Sequence, residues 1–469
     1  MTAIDQAIAF HKQGRLQLAE EKYVEVLSAD FDNVKCLYLL GTIYLQTHRI
    51  GIAANLFKQA LLMKKDYFEA WNNLGNCYKM INKDEDAKVC WNKALEIKNM
   101  HPTDYADIHN NIATLYVNSG KPVEGMQYVE KALELCPDHV DANWNKALLL
   151  LEQGKYGEGF DRYEWGVKTG HRVLRTYGKE IPIWDGSPDK KVIVWGEQGI
   201  GDEILFASMF PDMQKVCRAV IFDCHPRLVK IYKESFPDLI VYGTRKDAYI
   251  NWPVDHPDID ARIAIAELGK YFRRELKDFP KHNGYLKASQ DRITHYQQKL
   301  AKLGDRPKIG ISWTGGYQKT RKDWRSIPLE KWEPILKKDA DFISLQYTPE
   351  AYNSIAEVEE KFDIRIHHWP SAVTEGIRKD YHETAALVSA LDLIITVNTA
   401  IHHLAGALGK PTWTLTPKGK AWRYYSPDGK SFPWYPSARC IEQPEIMEWD
   451  SVMNQVADEL TVTELAYAN

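Results

Sequence analysis

The sequence predicts a helical-repeat solenoid followed by two open α/β units. Three observations carry this reading. Small residues recur about every 34 positions through the first third of the chain, a β-branched run at 192–195 leads through a two-glycine turn into a helical pattern, and a second series of strands starts at Lys308. A period of this length marks stacked helical hairpins, and strands alternating with helices mark parallel sheets with covering helices.

The repeat is read from small residues followed three positions later by a larger apolar or aromatic one. These pairs are Ala7/Phe10, Gly41/Tyr44, Gly75/Tyr78, Ala113/Tyr116 and Ala147/Leu150, spaced 34, 34, 38 and 34 residues apart. Twelve residues after each small residue stands Ala19, Ala53, Ala87, Gly125 or Gly159, and four later Tyr23, Phe57, Trp91, Val129 or Tyr163. The stretch 71–97, with WNNLGNCYKM and DEDAKVCWNKALEI, resembles the tetratricopeptide repeat. About five such hairpins are expected over 1–168, with the four extra residues forming a turn insertion around 99–104. Stacked hairpins bury faces that one alone cannot cover and leave a concave inner surface. Asn73, Asn111 and Asn145 fall two positions before the small residue. An asparagine amide donates and accepts, so such a ladder could hold an extended peptide backbone; the alternative is that these amides satisfy contacts between repeats. The protein O-GlcNAc transferases, which also join such repeats to a sugar-transfer domain, carry a comparable ladder.

Composition narrows the function. A net charge of -4 gives no reason to expect nucleic acid or an anionic membrane as partner. The amino-terminal residues lack the apolar core of a signal peptide, and no run is long enough to span a bilayer. Seven cysteines lie scattered without a CxxC pair, with Cys36, Cys77 and Cys90 at apolar helix positions where a buried thiol is expected. A cytoplasmic, reduced protein without structural zinc follows. The pairs His367-His368 and His402-His403 are adjacent, not spaced for a metal on one helix face, so no metal or other cofactor is expected.

After Trp165 the repeat fades. Pro182, Gly186 and Pro188 mark 169–190 as a linker in which Trp184 docks on the next domain. The first α/β unit is expected over 191–304, with strands at 192–195, 219–223, 239–242 and 249–251 and a helix around 260–272. Gly199 and Gly201 permit a sharp turn and close approach to a ligand. Asp202 stands where the helix starts, over the carboxyl end of the strand, where open sheets bind ligands. It reads either as a chemical group there or as a helix cap. Glu197 and Gln198 would order the loop or touch an acceptor.

The second unit is expected over 305–444, with strands at 308–313, 341–346, 364–367, 393–397 and 411–415, and a terminal helix over 445–469. Asn398 and Thr399 cap a helix from Ala400 whose free amides suit an anion such as diphosphate. His403 lies one turn into that helix; His402 points about 100° away, so at most one of them faces a ligand. Thr314 and Gly315 end one strand, and Gln346 another. Lys319, Arg321, Lys322 and Arg325 form a basic run in which Arg325 precedes a rigid Ser-Ile-Pro segment and is the one held toward the cleft. Its planar fork suits a diphosphate.

The segments WDG, VWGEQGIGDEILFA, RSIPLEKW, FISLQ, the 380–413 run and FPWYPSARCIEQ together resemble the heptosyltransferase-like glycosyltransferases of carbohydrate-active family nine. The resemblance covers nearly all of 184–443. It implies a GT-B fold, two Rossmann-like lobes with the nucleotide-sugar held mainly by the second, metal-independent inversion, and a last helix crossing back to the first lobe. It places the general base on Asp202, a phosphate contact on Arg325 and the helix histidine on His403. It makes the triplets Asp258-Ile259-Asp260 and Asp339-Ala340-Asp341 surface carboxylates. Two departures stand out: the family's aspartate before Thr399 is Asn398, and its Ser-Leu-Pro after the fourth strand is Ala266-Glu267-Leu268-Gly269. The expected function is transfer of a sugar from a nucleotide-sugar to an acceptor hydroxyl, on a protein such as a flagellin or other surface protein held by the repeats. The alternatives are a polysaccharide or lipopolysaccharide precursor as acceptor, or a non-catalytic scaffold. Donor sugar, base, acceptor and oligomeric state are not readable.

Overall fold

A computed structural model of the chain describes residues 2–118, 120–178, 180–247, 249–316, 322–373 and 380–460. It forms two compact units, Met1–Lys146 and Ala147–Asn469. Among the described residues no helix is long and apolar enough to cross a membrane.

The first unit is a series of helical hairpins. Ala3–Lys12 pairs with Leu16–Ala29, Val34–Gln46 with Ile50–Met63, Phe68–Met80 with Asp84–Leu95, and Pro102–Asn118 with Pro122–Leu135. The recurring small residues exist to admit the bulky ones. A Cβ on Gly75 would lie 2.5 Å from the Trp91 ring, and one on Gly41 would lie 2.8 Å from Phe57. Both rings are fully buried as a result. The turn inside each hairpin carries a left-handed residue, at Gly14, His48, Asn82 and Gly120. Their spacing is that of the repeat, so the period lives in the turns as well as in the core. The extra residues before the fourth repeat do not simply widen a turn: Pro102–Asn118 has 17 residues where Phe68–Met80 has 13. Four residues make about one further helical turn.

The boundary between the units falls inside Val140–Glu152, so Tyr156–Asp161 and Trp165–Lys168 belong to the second unit. The stretch read as a linker is packed: Arg172, Tyr177, Ile181 and Trp184 are buried, and Ile183 bridges to Arg262. Trp184 rests on Tyr271 with ring centroids 4.9 Å apart, the docking the sequence suggests.

Two sheets follow. The first contains β1 (Lys191–Trp195), β2 (Ala219–Asp223), β3 (Ile240–Tyr242) and β4 (Ala261–Ala264), all parallel in the order β3-β2-β1-β4. No strand forms at 249–251, and the expected helix at 260–272 opens instead with β4. The short ARIA run is drawn into the sheet by register with Val192–Trp195. The second sheet contains β5 (Lys308–Ser312), β6 (Asp341–Ser344), β7 (Ile366–His368), β8 (Leu393–Val397), β9 (Thr412–Thr416), β10 (Ser431–Phe432) and β11 (Tyr435–Glu442), in the order β10-β11-β9-β8-β5-β6-β7. The sequence reading has no counterpart to the last two strands, whose pattern Pro433 and Pro436 interrupt; proline is tolerated near a sheet edge.

The terminal helix Asp450–Glu459 does not cross to the first lobe. Val452, Met453, Val456 and Ala457 bury one face in the core of the second, beside Trp332, Ile335 and Leu336. An apolar stripe at this spacing seeks the nearest apolar surface. The remainder of the predicted terminal helix, 461–469, lies outside the described residues.

Candidate active site

β1 ends in the loop Gly196–Gly199 and enters the helix Ile200–Ala207. Gln198 is left-handed, φ 60°, an unusual state for a non-glycine residue. Its side chain and carbonyl are held on three sides. Its Nε2 donates to the Tyr163 hydroxyl at 3.1 Å, its Oε1 accepts from Arg423, and its carbonyl accepts from Arg245. Glu197 is buried and bidentate on Arg172, at 2.9 and 2.8 Å, and Arg172 reaches Glu267 at 3.1 Å. Glu197 therefore orders the loop through an ion pair.

Asp202 is a helix cap and an ion-pair partner. Its Oδ2 accepts from the Gly199 amide at 2.8 Å, a cap for the helix start, while its Oδ1 is ion-paired with Arg423. Beneath it, Glu203 is fully buried with Arg245 at 2.7 Å and accepts from the His225 amide at 2.8 Å. Burial outweighs these partners and lifts its carboxyl to about 7.

The second sheet supplies the opposite side. Gln346 is fully buried; its Oε1 accepts from the Thr314 amide at 3.2 Å, and the Thr314 hydroxyl meets Ser326 at 2.8 Å. This ties the loop after β5 to the segment that follows Arg325. Gly315 lets that loop approach Thr399, whose Cγ2 would lie 2.6 Å from a Cβ there. The Thr399 hydroxyl caps the helix Ala400–Ala407 by accepting from Ile401 at 3.2 Å. Asn398 is buried, and its carbonyl oxygen accepts no hydrogen bond among the described residues.

His403 joins the two lobes. A Cβ on Gly201 would lie 2.7 Å from its ring, and its Nδ1 bonds with the Tyr435 hydroxyl at 3.1 Å. Burial first, then the charges of Arg423 and Arg325, lower it to about 3, so it is neutral at pH 7. His402 is a core residue: fully buried, bonded to Thr414 at 2.7 Å and enclosed by Tyr424, Phe432 and Tyr435. The fold therefore gathers Asp202, Gly201, Thr399, Ala400 and His403 around the meeting of two helix starts, with the charge of Arg325 acting on His403.

Arg423 is the member that sequence reasoning missed. It lies on the turn Trp422–Tyr424, held by a buried tryptophan whose ring contacts Phe160, Tyr163, Phe206 and Trp434. The aromatic-flanked arginine in AWRYY is a signal for an anchored cation, but nothing in the sequence names its partner, 221 positions away. The basic-run residues Lys319 and Arg321 lie outside the described residues. In the first unit, Nδ2 of Asn111 donates to Asn72 at 2.9 Å, and that of Asn145 to Asn110 at 2.8 Å. Asn73 reaches Tyr38 at 3.4 Å. These amides make contacts between repeats.

Of the aspartate triplets, Asp258 and Asp260 are partly exposed and paired with Lys191 and Arg218. Asp341 is not a surface carboxylate. It is buried at the start of β6 and clamped by Lys308 at 2.7 Å and Arg306 at 2.5 Å. Among the described residues no cluster of three or more metal-binding side chains occurs.

Comparison with known proteins places the repeats. Residues 68–99 and 106–139 each match a tetratricopeptide repeat model. The amino-terminal hairpins are tetratricopeptide repeats. Along 97% of its length the chain is 26% identical to Protein FlbA of Caulobacter vibrioides, of which the match spans 83%. A match of 136 residues, 29% identical, links 29% of the chain to 14% of the human protein O-mannosyl-transferase TMTC3. Similar solved structures include MamA, at 22% identity and TM-score 0.31, over 35% of this chain and 94% of that one. Pseudomonas aeruginosa pilF is similar at 14% identity and TM-score 0.34, over 45% and 83%.

Proposed function

We propose that the 147–469 unit is a GT-B glycosyltransferase that moves a sugar from a nucleoside diphosphate sugar to an acceptor hydroxyl with inversion and without a metal, and that the repeats hold a protein acceptor. The observation that carries this is the convergence of a carboxylate from one parallel sheet with two guanidinium groups and a capped helix start from the other. A carboxylate beside guanidinium groups and free helix-start amides is the arrangement in-line displacement needs. Asp202 takes the acceptor proton. Arg325 and the amides at Thr399 and Ala400 stabilise charge on the departing diphosphate. His403, neutral, contributes a ring nitrogen rather than a charge. The unsatisfied oxygen of Asn398 suits a donor hydroxyl, which a lone buried acceptor favours. TMTC3 is by its name a protein O-mannosyl-transferase, and its likeness to 29% of this chain supports the acceptor class only.

A binding-only scaffold is favoured by one observation: both oxygens of Asp202 are engaged. Thermal unfolding of the full chain against a panel of nucleoside diphosphates and nucleotide-sugars separates the readings when followed by assay for released diphosphate. One nucleotide class is expected to stabilise the chain, by about 2.7 kcal/mol at a hundredfold excess over Kd. Stabilisation without turnover would favour the scaffold, and no stabilisation by any nucleotide would sink the donor site itself.

A further inference from the structure

We propose that Arg423 is a latch shared by the base and the nucleotide. It holds Asp202 as the chain folds, moves to the diphosphate of a bound nucleoside diphosphate sugar, and thereby frees the carboxylate to accept the acceptor's proton. The inference rests on the nucleotide-sugar reading above and adds an order of events to it.

Three features of the site carry it. First, the backbone of Arg423 is fixed while its mostly buried side chain keeps a polar, partly exposed surround. Trp422 and Tyr424 on either side are buried, 2% and 6% exposed, whereas the Arg423 side chain is 18% exposed and stays on polar partners. Such a group can swing without moving the chain. Second, Arg423 touches both halves of the chemistry. It pairs with Asp202 and Gln198 on the first lobe, and its charge acts with that of Arg325 on His403, one turn into the capped helix. Third, the pairing blocks the reaction as drawn. Asp202 Oδ2 is occupied by the Gly199 amide, so Oδ1 is the oxygen left for proton transfer, and Oδ1 is the one Arg423 holds.

A diphosphate offers more negative charge than one carboxylate and matches the guanidinium fork, so it competes well for Arg423. In the step that follows, the acceptor O–H bond breaks and its proton goes to Asp202 Oδ1. The acceptor oxygen bonds to the anomeric carbon from the face opposite the leaving group. The bond from that carbon to the diphosphate oxygen breaks, its electron pair stays on the diphosphate, and Arg423 and Arg325 face the charge that develops. Donor would thus bind before the base is competent. Gln198, losing its contact with Arg423, keeps its hold on Tyr163.

Competition for one arginine makes a signed prediction. The dissociation constant of the nucleoside diphosphate that stabilises the chain is measured by calorimetry on the full-length wild type, Asp202→Asn, Arg423→Gln and the double variant. Asp202→Asn is expected to tighten binding by about threefold to tenfold, Arg423→Gln to weaken it by about tenfold, and Asp202→Asn to change it by less than about twofold once Arg423 is gone. If Arg423→Gln unfolds, Arg423→Lys serves, with a smaller tightening because the fork is lost. Unchanged or weaker binding in Asp202→Asn overturns the latch. So does equal tightening in both backgrounds, which would be repulsion between Asp202 and the diphosphate rather than competition. If neither wild type nor Asp202→Asn binds any nucleotide, the nucleotide-sugar reading falls with it; a flat response on a wild type that does bind overturns the latch alone.

Discussion

Asp202→Asn is expected to lower turnover by about 10²- to 10⁴-fold, the contribution of a positioned general base, while the chain stays folded and nucleotide binding survives. The substitution keeps the size of the side chain and an oxygen for the Gly199 amide, now 2.8 Å from Oδ2, so the helix start remains capped. What it removes is the capacity to take a proton and the charge opposite Arg423. The rate is read as release of nucleoside diphosphate from the donor identified by thermal unfolding, at saturating donor. A variant with wild-type turnover would reduce Asp202 to a cap, and the base would have to be sought elsewhere in the first lobe.

The second large effect concerns stability. Arg172 is buried between Glu197 and Glu267, donates to the Tyr163 carbonyl at 2.8 Å and lies over the Tyr163 ring. Arg172→Met leaves two carboxylates buried without their cation. Loss of one partner from such a site costs about 3–5 kcal/mol, which lowers the melting temperature by roughly 4–8 °C for a unit of this size. Glu267 already sits above the usual carboxylate range because it is buried, with Arg172 pulling the other way. Removing Arg172 raises it further. A carboxyl raised in the folded state binds protons that the unfolded state has released, so its stability contribution is present at low pH and lost as pH rises. The deficit should therefore be larger at pH 8 than at pH 5, and adding Glu197→Gln should recover part of it. A melting temperature within about 2 °C of wild type at both pH values would contradict this account.

How far the sequence reaches is clear from particular residues. The hairpins were legible because the same steric demand recurs: Gly41 opposite Phe57 and Gly75 opposite Trp91 need a small residue and a large one sixteen apart. β2 and β8 were legible to the residue because buried parallel strands are unbroken apolar runs. β4 and β11 were not, since one is only four residues long and the other carries a proline near its start. Local features of the candidate site could be read where the sequence marks them, such as the glycine turn at Asp202 or the Thr399 cap before Ala400. Their partners could not. Arg423 meets Asp202 only because Trp422 is fixed among aromatic rings drawn from the last helical hairpin, the first lobe and the β10–β11 hairpin. Asp341 looked exposed within a polar triplet, yet its place at the start of a central strand buries it and supplies Lys308 as partner. Pairing across a sheet or between lobes is set by topology, which a spacing does not encode.

The proposed donor site puts a nucleoside diphosphate between the capped helix start and the arginines. Calorimetric titration of the stabilising nucleotide into wild type and Arg325→Ala tests it most directly. Charge-assisted bonds of this kind are worth about 1.5–3 kcal/mol, so Kd should rise by roughly tenfold or more in Arg325→Ala while the unfolding temperature without nucleotide stays near wild type. Equal affinity in the two proteins would place the nucleotide elsewhere and contradict the account.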